Sequence, residues 1–312
     1  MSMQTADQDS VLLLKWKRSL RVVVLNWNLP SDTLICIDSL LAAGLPLAQT
    51  IVVDNGSSDD SVAQFYDRFG SELAVIELPE NRGYAGGINP GIEYALADGA
   101  EWVLALNNDT EVNADFFEQM GCEIANTPGY HLWSPLILYA DDPQLVWSLG
   151  DNRLFGTLLT RDRWRNRRID LSLPSTVPVD FLTGCSLLVS RKVFEEVGMF
   201  DDSFFMYAED VDFCLRVRSA GFRMACATRA RIVHHVSRSS VDLPAKQRRW
   251  RTVNQIRVYK RNSKGLQRWF LMAFTGVRAI AMGVADIRKQ NSFRALPNAL
   301  SAWITGWWNA PR

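Results

Sequence analysis

From about residue 20 the chain alternates between short apolar runs and longer stretches with helical spacing. Residues 21–25 (RVVVL) form a compact β-branched run, a buried strand by length and composition. Residues 32–43 repeat apolar positions at helical spacing, and Gly44 supplies a stop. A second strand, 50–53, ends at Asp54, and residues 55–59 (NGSSD) carry turn chemistry before a helix over 59–69. Residues 73–78 read as a third strand. The glycine-rich stretch 81–91 opens a helix that runs to about residue 98, and 102–106 form a fourth strand ending at Asn107, Asn108 and Asp109. Strands alternating with helices predict an α/β domain with a mostly parallel sheet and helices on both faces.

The second half is less regular. It contains a strand at 185–189, helices at 191–197 and about 210–220, and a strand at about 224–233. Beyond Pro244 the chain is helical, basic and aromatic. This organisation predicts an N-terminal arm (1–20), a catalytic-type α/β domain (21–243) and a C-terminal helical region (244–312). No internal repeat is present.

Composition narrows the class. Of the 312 residues, 47% are hydrophobic, enough for a sizeable core. The five cysteines, at 36, 122, 185, 214 and 226, are odd in number and lack CxxC spacing, which argues for reduced thiols and against a disulfide scaffold or a zinc site. The polar, acidic first ten residues do not resemble a secretory signal, and no uncharged apolar run reaches 18 residues, so the expectation is a cytoplasmic protein without a spanning helix.

Charge is balanced in total and uneven in place. Residues 238–312 hold 15 Lys and Arg against 2 Asp and Glu, leaving 19 and 32 in the first 237, so a body at −13 precedes a tail at +13. Such a tail suits an anionic surface (phospholipid, polyphosphate or nucleic acid) or a basic face docked on the acidic body. No recognised nucleic-acid motif accompanies it, and no nucleic-acid partner is expected.

Polar residues gather where the strands end: Asn26 and Asn28, Asp54, then Asn107, Asn108 and Asp109. In open α/β sheets ligands bind beyond the carboxyl ends of the strands. Asp109 at the end of a buried strand is costly unless paired or bound to a cation; the alternative is an N-cap for a helix near residue 114. The glycines at 83, 86, 87 and 91 do not fit the Rossmann spacing, but they allow close backbone approach ahead of a helix N-terminus. Glu209, Asp210 and Asp212 crowd three carboxylates into four residues. Asp212 is positioned to pair with Arg216, and Asp210 to bind a metal or act as a base. His234 and His235 end a strand in a chain with three histidines, which makes the pair a credible metal ligand.

In this order and spacing the segments VVVLNWN (22–28), IVVDNGSSDDS (51–61), ENRGYAGGINPG (80–91), LALNNDT (104–110), the run 180–222, VHHVSRSS (233–240) and YKRN (259–262) resemble family 2 glycosyltransferases. The subgroup is that of bacterial rhamnosyltransferase-like enzymes of cell-surface polysaccharide synthesis. The resemblance covers residues 20–262 and implies a GT-A fold and an inverting, metal-dependent sugar transfer to an acceptor hydroxyl.

Carried onto these positions, it implies that Asp54 contacts the base or ribose and that Asn81, Gly83 and Asn89 line the nucleoside pocket, with Asn26, Asn28, Asn107 and Asn108 alongside. Asp109, the last position of the family's DxD motif, and His234 would hold Mg²⁺ or Mn²⁺. Asp210, beside Glu209, matches the catalytic base. The first Asp of the DxD motif is Asn107 here, and KQRRW (246–250) has Lys where processive members have Gln, so processivity is not implied.

Expected partners are a dTDP-rhamnose or UDP-sugar donor, a glycan or lipid-linked acceptor, an anionic surface on the inner face of the cell membrane, and a second copy of the chain. Two competing functions remain at this level: a nucleotidyltransferase, or a non-catalytic binding protein of the same fold. The first usually needs a glycine-rich loop with a basic residue straight after the first strand, where NWNLP (26–30) stands instead.

Overall fold

The computed structural model describes residues 16–154, 158–236, 244–290 and 295–309. The N-terminal residues 1–15 and the serine-rich end of the 233–240 motif lie outside the described residues. The elements are β1 (Leu20–Asn26), α1 (Pro30–Ala42), β2 (Thr50–Asp54), α2 (Ser61–Phe69), β3 (Ala74–Glu77), α3 (Gly83–Ala97), β4 (Trp102–Asn107), β5 (Thr110–Val112), α4 (Phe116–Asn126), β6 (Tyr130–Tyr139) and β7 (Val146–Ser148). Then follow β8 (Asn152–Arg153), β9 (Thr160–Arg161), β10 (Thr176–Pro178), β11 (Ser186–Ser190), α5 (Arg191–Val197), α6 (Glu209–Ser219), β12 (Arg223–His234), α7 (Pro244–Asn262), α8 (Gly265–Gln290) and α9 (Ala295–Ile304), closed by a π-helical turn at Thr305–Asn309.

The main sheet runs β10-β12-β6-β11-β4-β1-β2-β3, with β5 on β12 and β7 on β6. β1 lies parallel between β2 and β4, with Asn26 level with Asp54 and Leu25 level with Asn107. β11 is antiparallel to both β4 and β6, and β12 is parallel to β6. The carboxyl ends of β1, β2, β4 and β12 and the start of β11 therefore share one edge. The order reverses across β1, which is the topological switch point where such sheets bind ligands.

β1 is buried on both faces. Val22 and Val24 join one apolar cluster with Ile37, Leu40 and Phe65 from α1 and α2; Val23 joins the other with Ile88 and Ile92 from α3. The glycine-rich stretch is already helix from Gly83 onward. Its reason is packing: a Cβ at Gly91 would lie 2.3 Å from Val23 and 2.7 Å from Val53, so glycine lets α3 lie close on the sheet.

The periodicity misses β6, a ten-residue central strand with Pro135 in its interior. A central strand normally excludes proline because it cannot donate to the ladder. Here the partner strand adapts: β12 shifts register between Ala227 and Arg231, opposite Pro135 and Leu136, and of the three extra residues Thr228 donates its hydroxyl to Pro174 O (2.7 Å).

The C-terminal helices divide the basic tail. Ile256, Val258 and Tyr259 of α7 enter the same core cluster as Val23. Arg257 donates to Ser203 O (3.0 Å) and Ser203 Oγ (2.6 Å), and Arg261 pairs with Asp201 (2.6 Å) and Asp212 (3.4 Å). These two arginines are thus docked on the acidic body. Trp303 and Trp307 do not share an outer face with Trp308. Their indole N–H groups both donate to Thr275 Oγ1 (3.1 and 3.0 Å), while Trp308 is exposed. Among the described residues no helix is long and apolar enough to cross a membrane.

Candidate active site

A cleft of about 480 Å³ opens along the shared strand edge. Eight of the sequence-predicted residues line it: Asn81, Gly83, Asn107, Asn108, Asp109, Glu209, Asp210 and His234.

Asp109 and His234 are brought together by strand pairing. Asp109 immediately precedes β5, and β5 pairs antiparallel with β12 so that Thr110 faces His234. His234 Nε2 lies 3.2 Å from Asp109 Oδ1, and both side chains are buried. Among the described residues Asp109 Oδ1 and His234 Nδ1 make no hydrogen bond. The Trp147 ring meets the His234 imidazole edge-on at 4.5 Å. His235 is engaged elsewhere, with its Nε2 2.6 Å from Glu111 Oε1. Asp109 caps no helix; the residue before α4 is Asp115.

One buried carboxylate and one buried imidazole set side by side, with His234 Nδ1 making no hydrogen bond among the described residues, suit a divalent cation that keeps other positions for phosphate oxygens and water. Among the described residues no group of three or more His, Cys, Asp or Glu gathers to hold an ion unaided. The residues fit Mg²⁺ or Mn²⁺ on that condition.

Glu209 and Asp210 open α6. The two residues before them, Tyr207 (φ 70°) and Ala208 (φ 73°), are both left-handed, a costly backbone for residues with side chains. The turn is held from outside: Asn254 Nδ2 on α7 donates to Met206 O (2.9 Å) and Tyr207 O (3.2 Å), and the Arg251 guanidinium lies 4.3 Å over the Tyr207 ring. Asp210 Oδ2 accepts from Gly184 N–H (2.9 Å) and Oδ1 from Val211 N–H (2.8 Å).

Burial raises the Asp210 carboxyl, and these backbone donors oppose the rise. Glu209 is pushed up to about 8, first by burial and then by the charge of Asp210, and its Oε2 has no hydrogen-bond partner among the described residues. Both carboxyls are raised by burial, so the pair holds a proton more readily than free carboxylates would, and the two backbone donors fix the orientation of Asp210. Asp212 is structural, pairing with Arg216 at 2.8 Å as the spacing predicts.

The glycine-rich motif joins the two groups. Tyr84 N–H donates to Phe205 O (2.9 Å), and a Cβ on Gly83 (φ 73°) would fall 1.8 Å from that same oxygen. Asn55 ties the β2 turn to the motif, bonding Asn81 Oδ1 (3.2 Å), Gly83 O (3.0 Å) and Arg82 N–H (2.9 Å).

Four predicted residues sit behind the cleft rather than on it. Asp54, 3% exposed, spends both oxygens on its own turn: Oδ1 accepts from Asn26 Nδ2 (2.7 Å) and Ser57 Oγ, and Oδ2 from Ser57 N–H (2.9 Å). Asn26 is fully buried in that network, where Thr33 also donates to it (2.6 Å). Asn28 accepts from Ser58 N–H (2.9 Å). Asn89 donates to Phe200 O (2.9 Å). In this structure these residues shape the turn and the helix seat.

The family model described as glycosyl transferase family 2 matches residues 21–198, more than half of the chain. The chain belongs to glycosyl transferase family 2. A second model, glycosyl transferase family 21, matches residues 151–305. A low-salt glycan biosynthesis hexosyltransferase of Haloferax volcanii is 30% identical over 201 residues, 64% of this family 2 chain and 61% of that protein. The matched part thus spans less than two thirds of that relative. An N-acetylglucosaminyl-diphospho-decaprenol L-rhamnosyltransferase of Mycobacterium tuberculosis is 28% identical over 226 residues, 66% of this chain and 72% of that one.

Among solved structures, a mannosyltransferase of Pyrobaculum calidifontis in complex with GDP-Man and Mn²⁺ superposes with a TM-score of 0.56 at 15% identity, covering 98% of this chain and 97% of that one. GalNAc-T7 with UDP, GalNAc and Mn²⁺ gives 0.63 at 14% identity, covering 94% and 58%. At such identities these likenesses show the fold alone, and it is GT-A.

Family membership leaves the nucleotidyltransferase reading without support. Sequence reasoning also missed cleft residues of this family 2 chain. Trp27, Asn55, Tyr84 and the segment Thr183, Gly184 and Cys185 lie inside recognisable motifs, and their position within those motifs was the available signal. Trp147, Arg165 and Arg251 lie in stretches without a usable pattern.

Proposed function

We propose that this chain transfers a hexosyl unit, rhamnosyl first among the candidates, from a nucleotide-diphosphate donor to a hydroxyl of a lipid-linked glycan, with inversion. The observation that carries this reading is one cleft that holds the Asp109–His234 pair opposite the Glu209–Asp210 pair. The relatives act as hexosyl- and rhamnosyltransferases, one of them on a diphospho-decaprenol acceptor, which supports the substrate classes. dTDP-rhamnose and UDP-sugars are the donors to try first.

The donor base and ribose would lie by Trp27, Asn55 and Asn81, at the switch point. Asp109 and His234 would hold Mg²⁺ or Mn²⁺, which supplies neutralisation of the charge that grows on the leaving diphosphate. Asp210, fixed by the Gly184 and Val211 N–H groups, takes the proton of the acceptor hydroxyl as that oxygen attacks the anomeric carbon. The bond from that carbon to the diphosphate oxygen breaks in the same displacement, and attack from the opposite face inverts the centre. Glu209, retaining its proton, leaves Asp210 as the only anion of the pair.

The test is a panel of nucleotide-sugars scored by the rise in melting temperature with and without Mn²⁺, followed by transfer assays with EDTA. The proposal expects a metal-dependent rise with one nucleotide and no transfer in excess EDTA. Full turnover in EDTA would remove the metal role, and no stabilisation by any nucleotide would remove the donor class.

A further inference from the structure

Helix α8 carries apolar side chains on both sides. Leu271, Thr275 and Ala279 face inward and are buried. On the opposite side Leu266, Phe270, Ala273, Val277, Ile280 and Val284 recur at intervals of four and three, and all are exposed. Leu266 is 88% exposed and Val277 68%. Trp269, 65% exposed, and Phe274 widen this strip. It is about 27 Å long at 1.5 Å per residue. A helix apolar all round is normally buried, and a contiguous exposed strip of this length marks a contact surface. The strip continues sideways: Trp303 packs on Gly276, and its ring meets the exposed Trp308 at 5.3 Å.

The electrostatics select the occupant. Residues 244–285 contain ten Lys and Arg and no Asp or Glu. Arg257 and Arg261 are used on the body. Arg268 and Arg278, by contrast, hydrogen-bond to neutral groups, the Lys260 carbonyl and Gln255 Oε1. Lys264 is exposed at the start of the helix. A second copy would bring the same strongly basic helical region against this one and repel. An anionic phospholipid surface offers acyl chains to the apolar strip and phosphates to the cations of that region. The helix is not apolar enough to cross a bilayer, so it would lie along the interface, with Trp269 and Trp308 at headgroup level.

We propose that the outward face of α8, with Trp308, seats this protein on an anionic membrane surface. The preceding helix, α7, supplies Arg251 to the cleft and Asn254 to the turn before Glu209 and Asp210. Lipid contact on α8 therefore sets the distance between the cleft and the bilayer. That consequence rests on the lipid-linked acceptor proposed above; the membrane contact itself does not.

The experiment is co-sedimentation of the full chain with vesicles of phosphatidylcholine alone or mixed with phosphatidylglycerol, at low and high salt. The expected result is binding to the anionic vesicles that falls at least about tenfold on phosphatidylcholine alone or at high salt. A Val277→Glu/Ile280→Glu variant should bind at least about tenfold more weakly. It should show the same nucleotide-induced rise in melting temperature as the parent, which establishes that it is folded. A full chain that binds neither vesicle overturns the proposal, as does a double variant that binds as well as the parent. A parent dimer in gel filtration that the double variant converts to monomer, with no vesicle binding, assigns the face to a second copy instead. Loss of vesicle binding with sugar transfer retained separates this proposal from the transferase reading.

Discussion

On one side of β4 the sheet runs β1, β2, β3, all parallel; on the other it runs β11, β6, β12, β10, with directions changing and long excursions between neighbours. In the parallel part each strand hands on to a helix within a few residues, so its side chains reach the cleft through local units. In the mixed part the functional groups come from distant stretches: His234 from the end of β12, Gly184 from the approach to β11, and Asp210 from a turn held by α7. On the proposed function, the parallel part builds the donor seat while the mixed part and α7 assemble the chemistry. Damage to each should read out differently.

The largest effect belongs to the mixed side. Asp210→Asn should lower kcat by about 10²-fold or more with nucleotide affinity nearly unchanged, the usual scale for a positioned base. Single-turnover transfer and nucleotide titration measure the two quantities, and a Glu209→Gln variant that is the more crippled of the two would reassign the base.

Asn254→Ala comes next. It removes the donor that fixes the left-handed turn at Tyr207 and Ala208, so kcat should fall about 10- to 10²-fold through misplacement of Asp210. The nucleotide-induced shift in melting temperature should persist. A variant that loses both together would show Asn254 to be a general structural residue.

On the parallel side Gly91→Ala should act through stability. The added methyl meets Val23 and Val53 and should cost about 1–3 kcal/mol in denaturant unfolding. The kcat of the protein that remains folded should hold. A neutral substitution would mean that α3 can lift from the sheet.

The smallest effect is a pH slope. Glu209 is raised from its ordinary 4.5 to about 8. Between those values the folded chain keeps a proton that the unfolded chain has released, so stability falls as pH rises through that window. Glu209→Gln should flatten the slope in melting temperature between pH 5 and about 8. An unchanged slope would place the raised group elsewhere.

Legibility followed the same division. The strand ends at Asn107 and Asp54, the helix at 191–197 and the start of α6 could be read because short-range patterns dictate them. β6 could not, because Pro135 forbids a central strand until a distant bulge in β12 accommodates it. Asp54 reads as a ligand-facing carboxylate from its place at a strand end. Only the folded turn shows both its oxygens already taken by Asn26 and Ser57. The +13 tail reads as a single basic surface, whereas tertiary contacts divide it into a docked α7 and an outward α8.

By itself the sequence determined the alternation of strands and helices, the polar strand ends, the acidic pair at 209–210 and the family motifs. All of these depend on residues close together in the chain. The family motif singles out His234, and tertiary structure supplies the contact, because β5–β12 register turns His234 toward Asp109 and leaves His235 to Glu111. It also decided which carboxyl of the acidic pair is oriented, because the Gly184 N–H comes from 26 residues earlier in the chain. Contacts of that range depend on how strands pair and helices dock, and composition and spacing carry no trace of them.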